Sequence, residues 1–436
     1  MTKPTEFDLI LRDGSVEGYG SRVDIGIRDR RISAIGKAIP AEAADELKVD
    51  GRLVSPAFAD PHIHLDKVLV ASHLPVNRSG TLPEAIRLLH QTKRESAAAE
   101  VAERAGKVIR SAVISGTTML RSHVDVDTIG GLKPLEGVAA ARREHEDICE
   151  IQIVAFPQEG IERDPGTSEL METAMVSGAD IVGGMPHWER TPEASRRHIE
   201  FCLELADRHD ANVDMHVDET DDPDSRTLEI LVEQTELRSW SGRVTAGHCC
   251  AMAAWSDDYA AGLIRRLSAV GISVVTLPAT NLMLQGRGDD EPRRRGIPRV
   301  KELLAAGVQM GSGQDCVGDA FYPLGAADQL QVALILAHAA QLSSNEELAA
   351  AIEMVRGGAA RIMGVADHGI APGCRADLVV LDASTERDAL QWQAARRWVI
   401  KGGCLVAETR TESACRRKDG LLPSPTPSRG ATSPIG

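Results

Sequence analysis

Residues 82–113, LPEAIRLLHQTKRESAAAEVAERAGKVIRSAV, are rich in alanine, leucine, glutamate and arginine, and this composition predicts helix. An apolar run, TTMLRSHVDV at 117–126, follows almost at once and has the character of a buried strand. The same alternation of apolar runs and helical stretches continues from about residue 54 to residue 364. Alternation of this kind is typical of a parallel sheet whose strands are joined by helices.

Eight apolar runs in this region qualify as strands, and most are followed by a helical stretch. An eight-stranded closed barrel, the (β/α)8 architecture of the α/β class, is therefore the simplest topology, with functional residues expected where the strands end. The runs are LVSPAFADPHIH (53–64), TTMLRSHVDV (117–126), ICEIQIVAF (148–156), DIVGGMPH (180–187), NVDMHVDE (212–219), RVTAGHC (243–249), ISVVTLPA (272–279) and VQMGSGQD (308–315).

Both ends of the chain have a different texture, with short β-like runs separated by turn residues. A polar turn lies between two apolar runs at 28–30 and again at 401–403. These features predict a small flanking β domain built from residues 1–55 and 366–410, around a barrel of residues 56–365. The last residues, 411–436, are rich in proline, serine and glycine and predict a disordered tail.

Composition narrows the classes of partner. The chain has 436 residues, with 49 basic and 64 acidic side chains and a net charge of −15, which opposes binding to nucleic acid or to an anionic membrane. The eight cysteines lack paired spacing and are expected to be reduced. No signal peptide or apolar run of membrane-spanning length is apparent, so we expect a cytoplasmic protein.

Metal-binding side chains end four of the eight strand candidates or lie beside their ends. His62 and His64 are two residues apart on one strand, so their side chains share a face. An isolated pair of this kind is weak evidence, but His216, His248 and Asp315 end three further strands at the same rim. We therefore expect a site for one divalent ion made by His62, His64, His216 and Asp315. An ion there would lower the pKa of a water to about 7, which favours hydrolysis.

Seven blocks of the sequence resemble those of the amidohydrolase superfamily, in its cytosine deaminase-like branch. They occur in the same order over roughly residues 5–405. The resemblance implies a barrel with a flanking β domain, one zinc or iron ion per chain, a homo-oligomer, and hydrolytic removal of an amino group from a small heterocycle. The blocks are PHIHLD (61–66), RSHVDV (121–126), IQIVAFPQEGI (151–161), HVDETDD (216–222), LQGR (284–287), RRGIPRVKE (294–302) and YPLG (322–325).

The resemblance also implies a role for particular residues. It makes Glu219 the proton shuttle, His248 the group that orients or deprotonates the nucleophilic water, and Gln158 a substrate-binding amide. A carboxamide can both donate to a ring carbonyl and accept from a ring N–H. His123 matches the family without a role that the sequence defines. The implied metal ligands are His62, His64, His216 and Asp315, and Asp315 also belongs to the catalytic set with Glu219 and His248.

The departures from cytosine deaminases are concentrated beside the substrate. Cys316 stands where a second aspartate usually follows the metal-binding one, and Gln314 where a histidine usually precedes it. Phe321 replaces a tryptophan and Lys67 replaces a threonine. We expect Cys316 and Phe321 to line the substrate pocket and to offer fewer hydrogen bonds. The sequence therefore predicts weak activity on cytosine and better activity on a larger or differently substituted ring.

Three functions remain open at this point. The first is a hydrolytic deaminase of a free nucleobase or related N-heterocycle, which releases ammonia. The second is an amidohydrolase that cleaves a ring amide or an N-alkylamino substituent of a heterocycle such as a triazine. A non-catalytic binding protein is disfavoured, because every ligand and proton-transfer position of the family is present in the sequence.

Overall fold

The structure is a computed structural model that describes residues 6–411 and the strand backbones Cys415–Arg417 and Gly420–Leu422. Its strands, in chain order, are β1 Phe7–Gly14, β2 Val23–Arg28, β3 Arg31–Gly36, β4 Ala43–Lys48, β5 Leu53–Pro56, β6 Phe58–Ile63, β7 Thr117–Asp125, β8 Glu150–Phe156, β9 Ile181–Gly184, β10 Asn212–Val217, β11 Val244–His248, β12 Ser273–Thr276, β13 Met310–Ser312, β14 Leu378–Leu381, β15 Arg396–Lys401, β16 Cys404–Glu408, β17 Cys415–Arg417 and β18 Gly420–Leu422.

Helices follow most of the central strands. They are α1 Leu82–Glu95, α2 Ala98–Ile114, α3 Lys133–Glu144, α4 Thr167–Val176, α5 Pro192–Arg208, α6 Thr227–Arg238, α7 Asp257–Val270, α8 Pro278–Leu284, α9 Val300–Ala305, α10 Gln329–Ala339, α11 Asn345–Glu353, α12 Gly357–Ile362 and α13 Glu386–Trp392. Local signals fix their ends: the Thr191 side chain accepts a hydrogen bond from Ala194 at the start of α5, and Gly271, at φ +70°, terminates α7.

Strands β6 to β13 form one parallel sheet in chain order. The sheet closes beyond the end of β13, where the Asp315 N–H donates to the His62 carbonyl at 2.8 Å and the His64 N–H donates to the Asp315 carbonyl at 2.9 Å. All eight strand candidates contribute a barrel strand, so the predicted (β/α)8 barrel is confirmed. Its apolar core is continuous with the buried faces of the surrounding helices.

The first strand candidate, residues 53–64, is two strands instead of one. Strand β5 pairs antiparallel with β14 outside the barrel, whereas β6 pairs parallel with β7 inside it. The chain changes sheets at Ala57, which donates its N–H to Asp377, while Phe58 donates its N–H to Gly116. A continuous apolar run cannot reveal this change, because both strands are buried.

The flanking β domain is confirmed and is built from both ends of the chain. One four-stranded sheet has the order β3-β2-β1-β4 and the other has the order β16-β15-β14-β5. Apolar side chains of the two sheets share one core, with Leu11 and Ile25 beside Leu378 and Ile400. The β2–β3 and β15–β16 hairpins turn through two left-handed residues each, at 29–30 and 402–403, as tight two-residue hairpins require.

The helical stretch at 82–113 is divided into α1 and α2. The break falls at residues 96–97, where Ser96 is extended and the Glu100 carboxylate accepts the Ala97 N–H at 3.2 Å to begin a new helix. Helix α1 thereby lies over the barrel mouth, with Ile86 and Leu89 in the same apolar cluster as residues that follow the strand ends. Helix α2 instead packs beside α3 on the outside of the barrel.

Three further expectations concern membrane spans, cysteines and the end of the chain. None of the helices within the described ranges is long and apolar enough to cross a membrane. The seven cysteines with described side chains are free thiols. The predicted tail falls mostly on residues 412–414, 418–419 and 423–436, which lie outside the described residues. Between them, β17 and β18 pair as a short antiparallel hairpin.

Candidate metal centre and active site

The four predicted ligands meet at the carboxyl end of the barrel. His62 Nε2 and His64 Nε2 lie 3.2 and 3.1 Å from His216 Nε2. Asp315 Oδ1 lies 3.7 Å from His62 Nε2 and 3.4 Å from His64 Nε2. All four side chains are buried. Strands β6, β10 and β13 bring them together from positions far apart in the chain, as the barrel topology requires.

These four side chains fit a divalent cation. Three imidazole nitrogens at tetrahedral positions around zinc would be about 3.3 Å apart, given zinc–nitrogen distances near 2.0–2.1 Å, and the distances found here are close to that value. His64 Nδ1 lies 3.0 Å from the His123 carbonyl, so Nδ1 carries the proton and Nε2 keeps its lone pair for a ligand bond. Burial, followed by the neighbouring imidazoles, lowers the pKa of His62 and His216 well below the usual value, which favours the neutral, ligand form.

The residues predicted to transfer protons lie beside this cluster. Glu219, His248 and Asp315 place one ligand-type atom each within 4.8 Å of one another. Burial and then the Asp315 charge raise the pKa of Glu219 well above its usual value, which favours the protonated carboxyl group. Glu219 Oε1 is 3.2 Å from His248 Nδ1. The sequence predicted the chemical type of Glu219 and His248, and the structure brings both to the cluster.

Asn281, which the sequence reasoning missed, fixes the tautomer of His248. Its Nδ2 lies 3.1 Å from His248 Nδ1, and because the amide nitrogen can only donate, Nδ1 is an acceptor and Nε2 carries the proton. Burial lowers the pKa of His248 to about 3, so the ring is neutral. His248 and Asp315 both have φ +66°, a conformation that is rare outside glycine and is concentrated at functional sites.

His123 lies directly beneath the cluster. Its ring stacks on His62 with centroids 3.9 Å apart and an interplanar angle of 24°. Its Nε2 is 3.6 Å from Asp214 Oδ1, and the other oxygen of Asp214 accepts a hydrogen bond from Arg121 at 2.7 Å. His123 therefore packs against one candidate ligand and holds another through its carbonyl, which gives the residue a positioning role that the sequence left undefined.

The predicted substrate-binding residues lie close to the candidate metal ligands. Cys316 and Phe321 belong to one buried apolar cluster that also includes Phe156 and Met185. The Phe156 ring stacks on His216 with centroids 4.1 Å apart, so this cluster reaches the candidate metal ligands. Gln158 is 4% exposed, and its Nε2 donates to Met185 Sδ at 3.2 Å.

A buried ionic network extends behind Gln158. Lys67 Nζ donates to Asp125 Oδ1 at 2.6 Å and to Gln158 Oε1 at 2.8 Å. Lys93, on α1, forms ion pairs with Asp125 at 2.9 Å, Asp127 at 2.5 Å and Glu159 at 3.2 Å. Although burial acts against ionisation of Asp125, the two lysines keep the pKa of its carboxyl far below the usual value. The two lysines therefore favour the ionised form of Asp125 at the centre of the network.

The comparisons with known proteins agree with this geometry. The model of the amidohydrolase family matches residues 84–408. The chain is 30% identical to the N-isopropylammelide isopropyl amidohydrolase of Pseudomonas sp. (strain ADP), over 92% of this chain and 98% of that protein. It is 31% identical to the pterin deaminase of Rhizobium rhizogenes, over 88% of each.

Among solved structures, the 5-methylcytosine deaminase of Klebsiella pneumoniae liganded with 5-fluorocytosine is similar throughout. Its TM-score is 0.90 at 36% identity, and the match covers 94% of this chain and all of that one. The structure of N-isopropylammelide isopropylaminohydrolase from Burkholderia multivorans has a TM-score of 0.81 at 29% identity, over 92% of this chain and 98% of that one. Barrel and flanking domain are thus shared with both.

Proposed function

Because the chain belongs to the amidohydrolase family, we propose that it is a metal-dependent hydrolytic deaminase of a free amino-substituted pyrimidine or related ring. The family and the relatives support a hydrolase that acts on carbon–nitrogen bonds of a heterocycle. The observation that carries the finer proposal is the contact between Glu219 and His248 beside the four converging ligands. This arrangement puts a proton donor next to the place where water would attack a ring.

His62, His64, His216 and Asp315 would hold one zinc or iron ion. When bound, that ion supplies the Lewis acidity that makes water nucleophilic near neutral pH. The rest of the chemistry falls to the protein. The stacked His123 and the His64–carbonyl hydrogen bond keep the ligand imidazoles in a fixed orientation, and the surrounding apolar cluster excludes bulk water.

Glu219 supplies the proton that deamination needs. Hydrolysis of an amidine-like ring carbon requires a proton on the adjacent ring nitrogen as water adds, and a second on the departing amino group. A protonated, buried carboxyl group can donate the first, take up a proton from the attacking water, and pass it to the departing amino group, which leaves as ammonia. It regains its own proton from the hydroxyl group of the intermediate as the carbonyl forms. His248, kept neutral and oriented by Asn281, holds water or the tetrahedral intermediate through its Nε2 hydrogen.

The residues near the ring favour a substituted pyrimidine over cytosine itself. Cys316 is small and uncharged, because burial raises the pKa of its thiol well above the usual value. The similar structure at 36% identity is called a 5-methylcytosine deaminase, and we propose that this chain also accepts a ring carrying a small apolar substituent. Cys316 and Phe321 would contact that substituent.

The test is a panel assay with purified, metal-loaded protein. We expect ammonia release from 5-methylcytosine to exceed that from cytosine, with pterins and amino-triazines included as further rings. Ammonia from none of these rings, at an ion content of one per chain, would contradict the proposal.

A second candidate function is favoured by one observation. The relative that matches 98% of its own length is an N-isopropylammelide isopropyl amidohydrolase. The same site would then hydrolyse an N-alkylamino substituent and release an alkylamine. Mass spectrometry of the products distinguishes the two functions, because only the alternative yields isopropylamine from N-isopropylammelide.

A further inference from the structure

Lys67 is buried beside Phe156 and Phe321, yet it belongs to neither the four candidate metal ligands nor the predicted proton-transfer pair. It is 4% exposed. Its Nζ lies 5.5 Å from the ring centroids of both Phe156 and Phe321, which cover it on two sides. Burial of an ammonium group is costly unless it is paired, and Lys67 satisfies this requirement with Asp125 and the Gln158 amide.

The contact with Gln158 determines which end of that amide faces the ring. An ammonium group can donate hydrogen bonds but cannot accept them, so the atom 2.8 Å from Lys67 Nζ has to be the amide oxygen. The amide nitrogen then lies on the other side, where its hydrogen bond goes to Met185 Sδ, a weak acceptor. Met185 belongs to the apolar cluster that contains Cys316 and Phe321. The amide nitrogen therefore faces Met185, in the cluster whose Cys316 and Phe321 are expected to line the substrate pocket.

We propose that Lys67 is a specificity-determining positioning residue that fixes Gln158 as a hydrogen-bond donor, so that the site selects rings carrying an oxo group at that position. This inference rests on the proposed function and deepens it, because it names the second substituent of the ring. The amide cannot rotate to present its oxygen to a ring N–H without facing its nitrogen towards the Lys67 ammonium. From the sequence, the Gln158 amide was expected both to donate a hydrogen bond to the ring and to accept one from it. With its oxygen bonded to Lys67, it acts towards the ring as a donor.

The network behind Lys67 makes this orientation rigid. Asp125 accepts from Lys67 on one oxygen, and its other oxygen is 2.9 Å from Lys93. Lys93 is tied in turn to Asp127 and Glu159. Each member of this chain of ionisable groups contacts one of opposite sign, and these contacts restrain Lys67 beside Gln158. A hydrogen bond held in this way favours the correct partner and penalises a ring that leaves the donor unpaired.

The inference is tested by binding, separately from turnover. The probes are 2-oxopyrimidine, which carries the oxo group and no amino group, and pyrimidine, which carries neither. Dissociation constants for metal-loaded protein are measured by ligand-observed NMR titration. We expect the wild-type protein to bind the oxo ring about five- to tenfold more tightly than pyrimidine, the effect of about one net hydrogen bond.

Two variants and one control complete the test. Lys67→Met keeps the apolar stem and should reduce the preference to within about twofold, while Lys67→Arg, which can still donate to the amide oxygen, should retain more of it. Gln158→Glu keeps the pairing with Lys67, and with it the local fold, but has no N–H to donate and should also lose the preference. Lys107→Met changes an exposed lysine of α2 and should leave the preference unchanged.

The outcomes separate this inference from the proposed function. A Lys67→Met protein with wild-type ion content and an unchanged preference for the oxo ring would overturn the inference, as would an unchanged preference in Gln158→Glu. A wild-type protein that shows the preference but releases no ammonia from any amino-substituted ring would overturn the proposed function and leave the donor role of Gln158 in place.

Discussion

The two ends of the barrel treat buried polar groups differently. At the carboxyl end, within the described residues, ring nitrogens of His62, His123, His216 and His248 and the side-chain oxygen of Asn281 have no hydrogen-bond partner. Buried polar groups are nearly always paired in folded proteins, so this concentration needs a cause. The unpaired nitrogens of His62 and His216 are their Nδ1 atoms, on the far side of each ring from the Nε2 atoms of the candidate metal site, whereas His248 Nε2 and the Asn281 oxygen can pair with water or substrate.

At the opposite end, charged groups of the barrel and of the adjoining β domain are paired. Lys401 is 2.7 Å from Asp377, Arg375 is 2.9 Å from Glu150, and Arg142 is 2.7 Å from Asp180. A cleft of about 620 Å³ lies there, lined by these same pairs. The comparison teaches that unpaired buried polar atoms of the histidines, more than the size of a cavity, indicate which end of the barrel holds the candidate site. This agrees with the rule that barrel active sites lie at the carboxyl ends of the strands.

The largest effect is expected from Asp315→Ala. The variant removes the only carboxylate of the four candidate ligands, so we expect bound metal to fall well below one ion per chain and activity to fall below detection. Elemental analysis and an ammonia assay measure both. Asp180→Ala, at the other end of the barrel, should keep its ion. Retention of a full ion by Asp315→Ala would remove this residue from the ligand set.

Glu219→Gln separates two roles that a residue at this end of the barrel can have, metal binding and proton transfer. The amide cannot shuttle protons, so we expect kcat to fall by about 10² to 10⁴ at unchanged ion content. Steady-state kinetics and elemental analysis of the same preparation provide the measurement. Turnover within a few-fold of wild type would show that Glu219 is not the proton shuttle.

The double variant Cys316→Asp with Phe321→Trp tests whether these two positions determine which ring the protein prefers. A carboxylate and an indole N–H restore hydrogen-bonding groups, so the kcat/KM ratio of cytosine to 5-methylcytosine should rise about tenfold. Competition between the two bases in one assay measures that ratio directly. Preference of the wild-type protein for cytosine over every other ring would contradict the role assigned to these positions.

Lys401→Met should have the smallest effect on catalysis. It leaves Asp377, whose side chain is 2% exposed, without its 2.7 Å partner. We expect the free energy of unfolding to fall by about 3 kcal/mol, because a buried charge loses its closest partner, while ion content and kcat remain unchanged. Urea unfolding measures the first quantity. A loss of bound metal would show that the two ends are not independent.

The sequence predicted the barrel and the converging histidines because both depend on local pattern. Apolar runs identify strands, and residues at strand ends share a rim whatever the intervening helices do. Lys67 was noted only as a departure beside the substrate, and Lys93 and Asn281 were not predicted as site residues. The roles of all three depend on partners 58, 32 and 33 positions away in the chain. Asn281 follows the seventh strand candidate, and that position was the available signal.

The change of sheets at Ala57 could not be predicted from the sequence either. Hydrophobicity shows that residues 53–64 are buried, but not which of two neighbouring sheets receives each hydrogen bond. The same limit applies to Gln158. Its residue type indicated an amide at the substrate, and only the position of Lys67 determined which end of that amide is turned inward.

The seam of the barrel runs through Asp315, whose backbone bonds to His62 and His64 close the ring. Residues 62 and 315 are separated by more than 250 positions, so during synthesis the first two histidines leave the ribosome long before their acidic partner exists. A nascent chain therefore has no complete cation site until its last barrel strand is in place. Assembly of the centre and closure of the barrel are one event, and a chain that ends before residue 313 should accomplish neither.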